Sequence, residues 1–132
     1  MVTFDTSALL SLFDSGQPLH RDVLEIATAN QGALIVPMGI MSEISYFVES
    51  RLGHGVLNAF LQDIRDDVYA IYCGEPDIDR IAGLVARYGD LPLGYADAAV
   101  IACAERHGGR VATLDHRHFG VVAREGTIQI VP

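Results

Sequence analysis

The sequence predicts an α/β fold built around a mostly parallel sheet, and three observations carry that expectation. Short apolar runs of strand length alternate with longer stretches in which apolar residues recur every three or four positions. Glycine, proline and small polar residues punctuate them. Half of the 132 residues are hydrophobic and a fifth are charged, the balance of a globular domain with a real core. The order of the strands does not follow from this pattern.

The elements follow in turn. Val2–Phe4 reads as a first strand and Thr6–Phe13 as a helix, with Asp5 or Thr6 as its cap. Leu19, Val23, Ile26 and Ala27 recur at helical spacing. Ala33–Val36 is a second buried strand, and Pro37 suits the entry to a helix carrying Met41, Ile44, Val48 and Leu52. Gly53 and Gly55 separate it from a helix striped by Val56, Leu57, Phe60, Leu61 and Ile64. Val68–Tyr72 is a third strand, and Glu75–Tyr88 a helix expected to turn Ile78, Ile81, Ala82, Val85 and Tyr88 inward. Gly94–His107 is a further helix, closed by Gly108 and Gly109. Arg110–Leu114 is a fourth strand, a short turn spans His116–Phe119, and Thr127–Val131 is a fifth strand. With no repeat, low-complexity tract or linker, a single domain over residues 1–132 is expected.

The formal charge is −8, with nine arginines and no lysine. That balance argues against a nucleic-acid binder of the basic-patch kind. It leaves room for an enzyme that meets phosphate through bound cations, and it invites a basic partner. No apolar run reaches membrane-spanning length, and Asp5 does not suit a secretory leader. Cys73 and Cys103 lack a CxxC spacing and stand in apolar surroundings; free, buried thiols in a reducing cytoplasm are expected.

Four carboxylates carry the chemistry. In an open parallel sheet, ligands bind beyond the carboxyl ends of the strands. Asp5 ends the first strand and Asp115 the fourth, Glu43 lies early in the helix after the second, and Asp97 lies in the first turn of the helix before the fourth. All four are therefore aimed at one rim. Asp97 has Leu93, Val100 and Ile101 as helical neighbours, and Glu43 has Ile40 and Phe47, so neither reads as a carboxylate placed for solvation.

Two carboxylates about 5 Å apart repel by roughly 3 kcal/mol at an effective dielectric near 20. Such a cluster must be protonated, spread apart or filled with cations. Oxygen-only ligation favours Mg²⁺ or Mn²⁺ over zinc. Each acid also has a plainer account, Glu43 excepted: Asp5 as a helix cap, Asp97 as a first-turn carboxylate favoured by the helix dipole, Asp115 as the start of a turn. Their coincidence at one edge is what weighs against those accounts.

At these residues the chain resembles the PIN-domain nucleases, and among them the VapC toxins of toxin–antitoxin pairs. The matching stretches are FDTSALL, the SEI at Ser42–Ile44, LGYADAAVIACAERHG and VATLDHRHF, in an order that spans almost the full length. The resemblance implies a three-layer fold with a five-stranded parallel sheet flanked by helices. It implies a divalent-metal site of Asp5, Glu43, Asp97 and Asp115, with Thr6, Ser7 and Thr113 as hydroxyls beside the acids that order ligands or water. Mg²⁺- or Mn²⁺-dependent endoribonuclease activity, a homodimer and neutralisation by a VapB-like antitoxin are implied as well. The rival reading is a catalytically silent PIN-like module that binds RNA or a partner, which loss of an acid would have favoured. A DNA-directed 5′-nuclease of the same kind needs an extra helical arch for which the chain has no room.

Other signals rank lower. Arg117, next to Asp115, is a candidate contact for RNA phosphate. His116 and His118 read as solvated turn residues, since no cysteine or further histidine completes a metal site. Asp90 reads as a loop or cap residue. A Ser7–His20 hydrolase triad lacks a GxSxG elbow.

Overall fold

The computed structural model describes all 132 residues. Five parallel strands, β1 (Val2–Phe4), β2 (Leu34–Pro37), β3 (Ala70–Tyr72), β4 (Arg110–Ala112) and β5 (Gln129–Val131), form one sheet in the order β3-β2-β1-β4-β5. Thr3 of β1 pairs with Ile35 on one side and Val111 on the other. Central β1 is wholly buried, as a parallel sheet covered on both faces requires, whereas edge strands β3 and β5 are partly exposed.

The helices are α1 (Thr6–Phe13), α2 (His20–Ala29), α3 (Met41–Leu52), α4 (His54–Arg65), α5 (Ile78–Arg87), α6 (Tyr95–Arg106) and α7 (His116–Ala123). Right-handed crossovers in this strand order put α1–α4 on one face and α5–α7 on the other. Pairwise packing agrees: α1 touches α2 and α3, α3 touches α4, and α6 touches α5 and α7. The chain direction across the sheet reverses between β1 and β4, which makes their carboxyl ends the crevice where such folds bind ligands.

Helix α6 is the keystone. Every residue from Ala98 to Ala104 is buried, a helix apolar around most of its circumference. Its small side chains let the 3-10 turn Met38–Ile40 approach closely: a Cβ on Gly39 would sit 2.9 Å from the Ala99 Cβ. Glycine at 39 therefore lets the start of α3 close on the start of α6. At the far end, Gly109 turns with φ +82° into β4, where a Cβ would meet the Thr127 carbonyl at 2.9 Å.

Three expectations need correction. His116–Phe119 is not a short turn but the start of α7, because Asp115 caps the helix and Phe119 and Val122 bury one side of it. In α5 the inward residues are Ile81 and Leu84, while Ile78, Ala82 and Val85 are exposed. Two hydrogen bonds from Arg80 to Glu105 go with that rotation, tying the Ile81–Leu84 side of α5 to α6. Cys73 is exposed rather than buried, because it follows an edge strand; Cys103 is buried in α6, and both thiols are free. The stripes expected around α2 and α4 bury Val23, Ala27 and Phe60 but leave Leu19 and Leu61 exposed. No helix is long and apolar enough to cross a membrane.

Candidate active site

Asp5 leaves β1 with extended backbone and caps α1. It is 7% exposed, and a buried carboxylate costs several kcal/mol unless partners compensate it. Three do. The Thr6 amide donates to Oδ1 at 2.7 Å, and the Ser7 and Thr113 hydroxyls donate to Oδ2 at 2.8 and 2.7 Å. Those hydroxyls accept in turn from the amides of Leu114 and Asp115, each at 3.0 Å. Ser7 and Thr113 thereby stitch the start of α1 to the loop after β4. Burial pushes the Asp5 carboxyl up, its three hydrogen bonds pull it back and the Glu43 charge pushes again; the net direction is up.

Asp97 lies in the first turn of α6, half-buried. Burial, the charge of Asp5 and smaller pushes from Asp115 and Glu43 raise its pKa to about 6 against an opposing pull from His118. Asp115 caps α7: the His118 amide donates to Oδ1 at 3.0 Å, and the His118 ring nitrogen Nδ1 meets Oδ2 at 2.8 Å. Glu43 projects from the first turn of α3 and is exposed, contrary to the sheltered setting expected for it; Ile44, not Glu43, takes the buried side of that turn.

All four acids line one cleft of about 260 Å³, together with Thr6, Ser7, Leu10 and Phe47. No arginine or histidine lines it. No three side chains close to metal-ligating geometry; the oxygens stand around the cleft instead. That arrangement suits a hard cation such as Mg²⁺, which keeps several waters and takes only one or two carboxylates directly. Thr6 lines the cleft as a residue, and its hydroxyl is buried without a hydrogen-bond partner. An all-oxygen set in which burial and neighbouring charges raise the pKa values of Asp5 and Asp97 is a site that a divalent cation fits.

A sequence profile of the PIN domain family matches residues 2–125. The chain belongs to the PIN-domain family. It is 36% identical over 120 residues to ribonuclease VapC26 of Mycobacterium tuberculosis, covering 89% of each chain. This PIN domain also superposes on the crystal structure of M. tuberculosis VapC20, a sarcin–ricin loop cleaving toxin, with a TM-score of 0.80, 17% identity and full coverage of both chains. FitAcB from Neisseria gonorrhoeae matches with a TM-score of 0.70 at 16% identity, over 100% of this chain and 97% of that one. VapBC2 from Rickettsia felis, bound to a promoter DNA fragment, matches at 0.69 and 12% identity over 98% and 97%. These distant likenesses establish the fold.

The remaining candidates in this PIN domain sort plainly. Arg117 and His116 are exposed on α7 and do not line the cleft. His118 is no solvated turn residue but Asp115's partner, and its signal was the spacing: three residues after a capping aspartate, a side chain reaches back to the cap. Phe47 and Leu10, the apolar wall, were not singled out for the site; Phe47 stands four residues after Glu43, on the same helix face. His20 bonds the Ser11 carbonyl at 2.9 Å and is not turned to Ser7, which excludes the triad. Asp90 is exposed in the turn before α6, outside the cleft. Burial holds the Cys103 thiol at a pKa of about 11, an inert core group.

Proposed function

We propose that this PIN domain is a divalent-metal-dependent endoribonuclease, acting in the cytoplasm as the toxin of a type II toxin–antitoxin pair. The supporting observation is the convergence of four carboxylates from four separate segments on one cleft with no cationic side chain in its wall. The similarity to ribonuclease VapC26 supports RNA as the substrate. The cleft's charge supports a basic, VapB-like antitoxin as the neutralising partner, and the homodimer is carried over from the family.

Asp5, Glu43, Asp97 and Asp115 would hold Mg²⁺ or Mn²⁺. When bound, the ion supplies Lewis-acid polarisation of the scissile phosphate and a water of lowered pKa. Asp5 is the fixed point: its hydrogen bonds to Thr6, Ser7 and Thr113 set the carboxylate plane before any ligand arrives. Asp97 lines the same cleft from the first turn of α6, where it would be one of the ion's oxygen ligands. Asp115 is aimed by His118. Arg117 steadies RNA phosphate outside the cleft.

The test is cleavage of a cellular RNA preparation with Mn²⁺ or Mg²⁺, together with thermal melting. Cleavage should vanish with chelator, Mn²⁺ should raise the melting temperature, and both effects should be lost in Asp5→Asn. Chelator-resistant cleavage, or an equal Mn²⁺ shift in the variant, would sink the shared-site reading.

A further inference from the structure

We propose that the outward face of α7, built from His116, Arg117, Gly120 and Arg124, is a track for the sugar–phosphate backbone of the RNA as it runs from the cleft over the α5–α7 side of the sheet. The inference rests on the nuclease reading and adds to it the path of the substrate outside the carboxylate site.

Helix α7 starts at the cleft, because its cap, Asp115, is one of the four acids in the wall. Phe119 and Val122 bury one side of the helix. At about 3.6 residues per turn, His116, Arg117, Gly120 and Arg124 fall together on the other side, where both arginines and His116 are exposed. Arg124 stands two turns beyond Arg117, about 10 Å along the axis.

Three features set this face apart. Every other helix that holds an arginine also holds a carboxylate, whereas α7 reads HRHFGVVA and is followed by Arg124, with no acid among them. Neither Arg117 nor Arg124 enters an ion pair, although Glu125 is adjacent, because that carboxylate is taken by Arg80 and Arg87 of α5. Gly120 stands mid-helix without a positive φ, and a Cβ there would meet nothing within 4 Å. Alanine would make the better helix, so neither backbone conformation nor packing calls for glycine at this point. A missing side chain between two free cations lets an extended polyanion lie close against the helix.

Guanidinium groups pair with phosphate in a forked geometry, and such contacts fix position rather than sequence. In a chain of net charge −8, a cationic strip free of carboxylates gives a polyanion a route past the acidic surface. The face favours a nucleic-acid backbone over an acidic protein. None of the exposed large hydrophobic residues lies on α7, so a protein would find charge there without an apolar anchor.

The test uses an Asp97→Asn background that leaves RNA uncut, with the affinity for a labelled oligoribonucleotide followed against salt by fluorescence anisotropy. Arg124→Gln should weaken binding of all sequences alike and flatten the slope of log K against log salt by about 0.7, the counterions of one phosphate. Arg124→Lys should recover most of that slope. Arg65→Gln, an equal loss of exposed charge on α4, should leave it as it is. Gly120→Ala should raise the melting temperature and yet weaken RNA binding, a combination that a purely structural glycine would not show. An unchanged slope in Arg124→Gln, an equal loss in Arg65→Gln, or full RNA binding by Gly120→Ala would overturn the track while leaving the nuclease standing. Polyglutamate bound as tightly as RNA would make the face a dock for an acidic protein, and the proposal would fail. If Arg124→Gln flattens the slope but the native chain shows no Mn²⁺-dependent cleavage, the track stands and the nuclease reading falls.

Discussion

On the α5–α7 side of the sheet, Glu105 receives two hydrogen bonds of 2.8 Å from Arg80, Glu125 is paired with Arg80 and Arg87, and Asp77 with Arg106. At the carboxyl edge, Asp5, Glu43, Asp97 and Asp115 share a cleft without a single arginine. The same physics gives opposite results. Burial raises the Glu105 pKa, but Arg80 outweighs it and the carboxyl ends below its usual value. Burial raises that of Asp97 too, and there the neighbouring acids mostly add to the push. Nine arginines were at hand, and those that pair were placed on structural carboxylates. One set of acids is neutralised by arginines within the fold, and the other shares a cleft without any.

The sharpest way to break this contrast is Asp97→Asn. RNA cleavage should fall by roughly 100-fold or more, because several kcal/mol of transition-state stabilisation rest on the site and each 1.4 kcal/mol is about tenfold. The melting temperature of the metal-free variant at pH 7 should nonetheless match or exceed that of the native chain, since a repelled charge has gone. A clear loss of metal-free stability would place Asp97 with the structural acids instead.

Glu105→Gln should behave in the opposite sense. It should cost about 1–2 kcal/mol in denaturant unfolding, as charged hydrogen bonds to a partly exposed Arg80 weaken, and leave cleavage per folded molecule unchanged. A catalytic defect without a stability loss would erase the distinction between the two regions.

The smallest effect is the pH profile. Asp97 titrates from 3.8 in the unfolded chain and from about 6 in the folded one. Between those values the folded state holds the additional proton, so its stability should decline as pH rises through that window and level off above it. Solvent screening at this half-buried site limits the drop to about 1 kcal/mol. Melting curves of the native chain and Asp97→Asn should diverge across the window and become parallel under saturating Mn²⁺; parallel curves without metal would remove the electrostatic basis of the contrast.

Most of this architecture was legible beforehand. Strand positions follow from short apolar runs such as ALIV and RVATL, and the four acids stand out because each ends or opens an element at one edge. What escaped depends on rotation about helix axes. Periodicity gave α5 an apolar side but not which part of it would be buried, since that depends on its packing against α6, where Arg80 meets a partner 25 residues away. The α7 helix was hidden because HRHF carries little apolar periodicity until Asp115 is recognised as its cap. Glu43 lines the cleft but is exposed, where a sheltered setting was expected: a first-turn position fixes the end of the sheet a residue reaches, and not how much solvent it meets there.

The contact at Gly39 has a wider consequence. The start of α3, which carries Glu43, and the start of α6, which carries Asp97, are held together across a gap that has no space for one more carbon. The approach of the two helix starts that carry Glu43 and Asp97 therefore depends on the missing side chain at position 39. A relative that acquired alanine there would keep all four acids, read as an intact nuclease by motif, and have its jaws wedged apart.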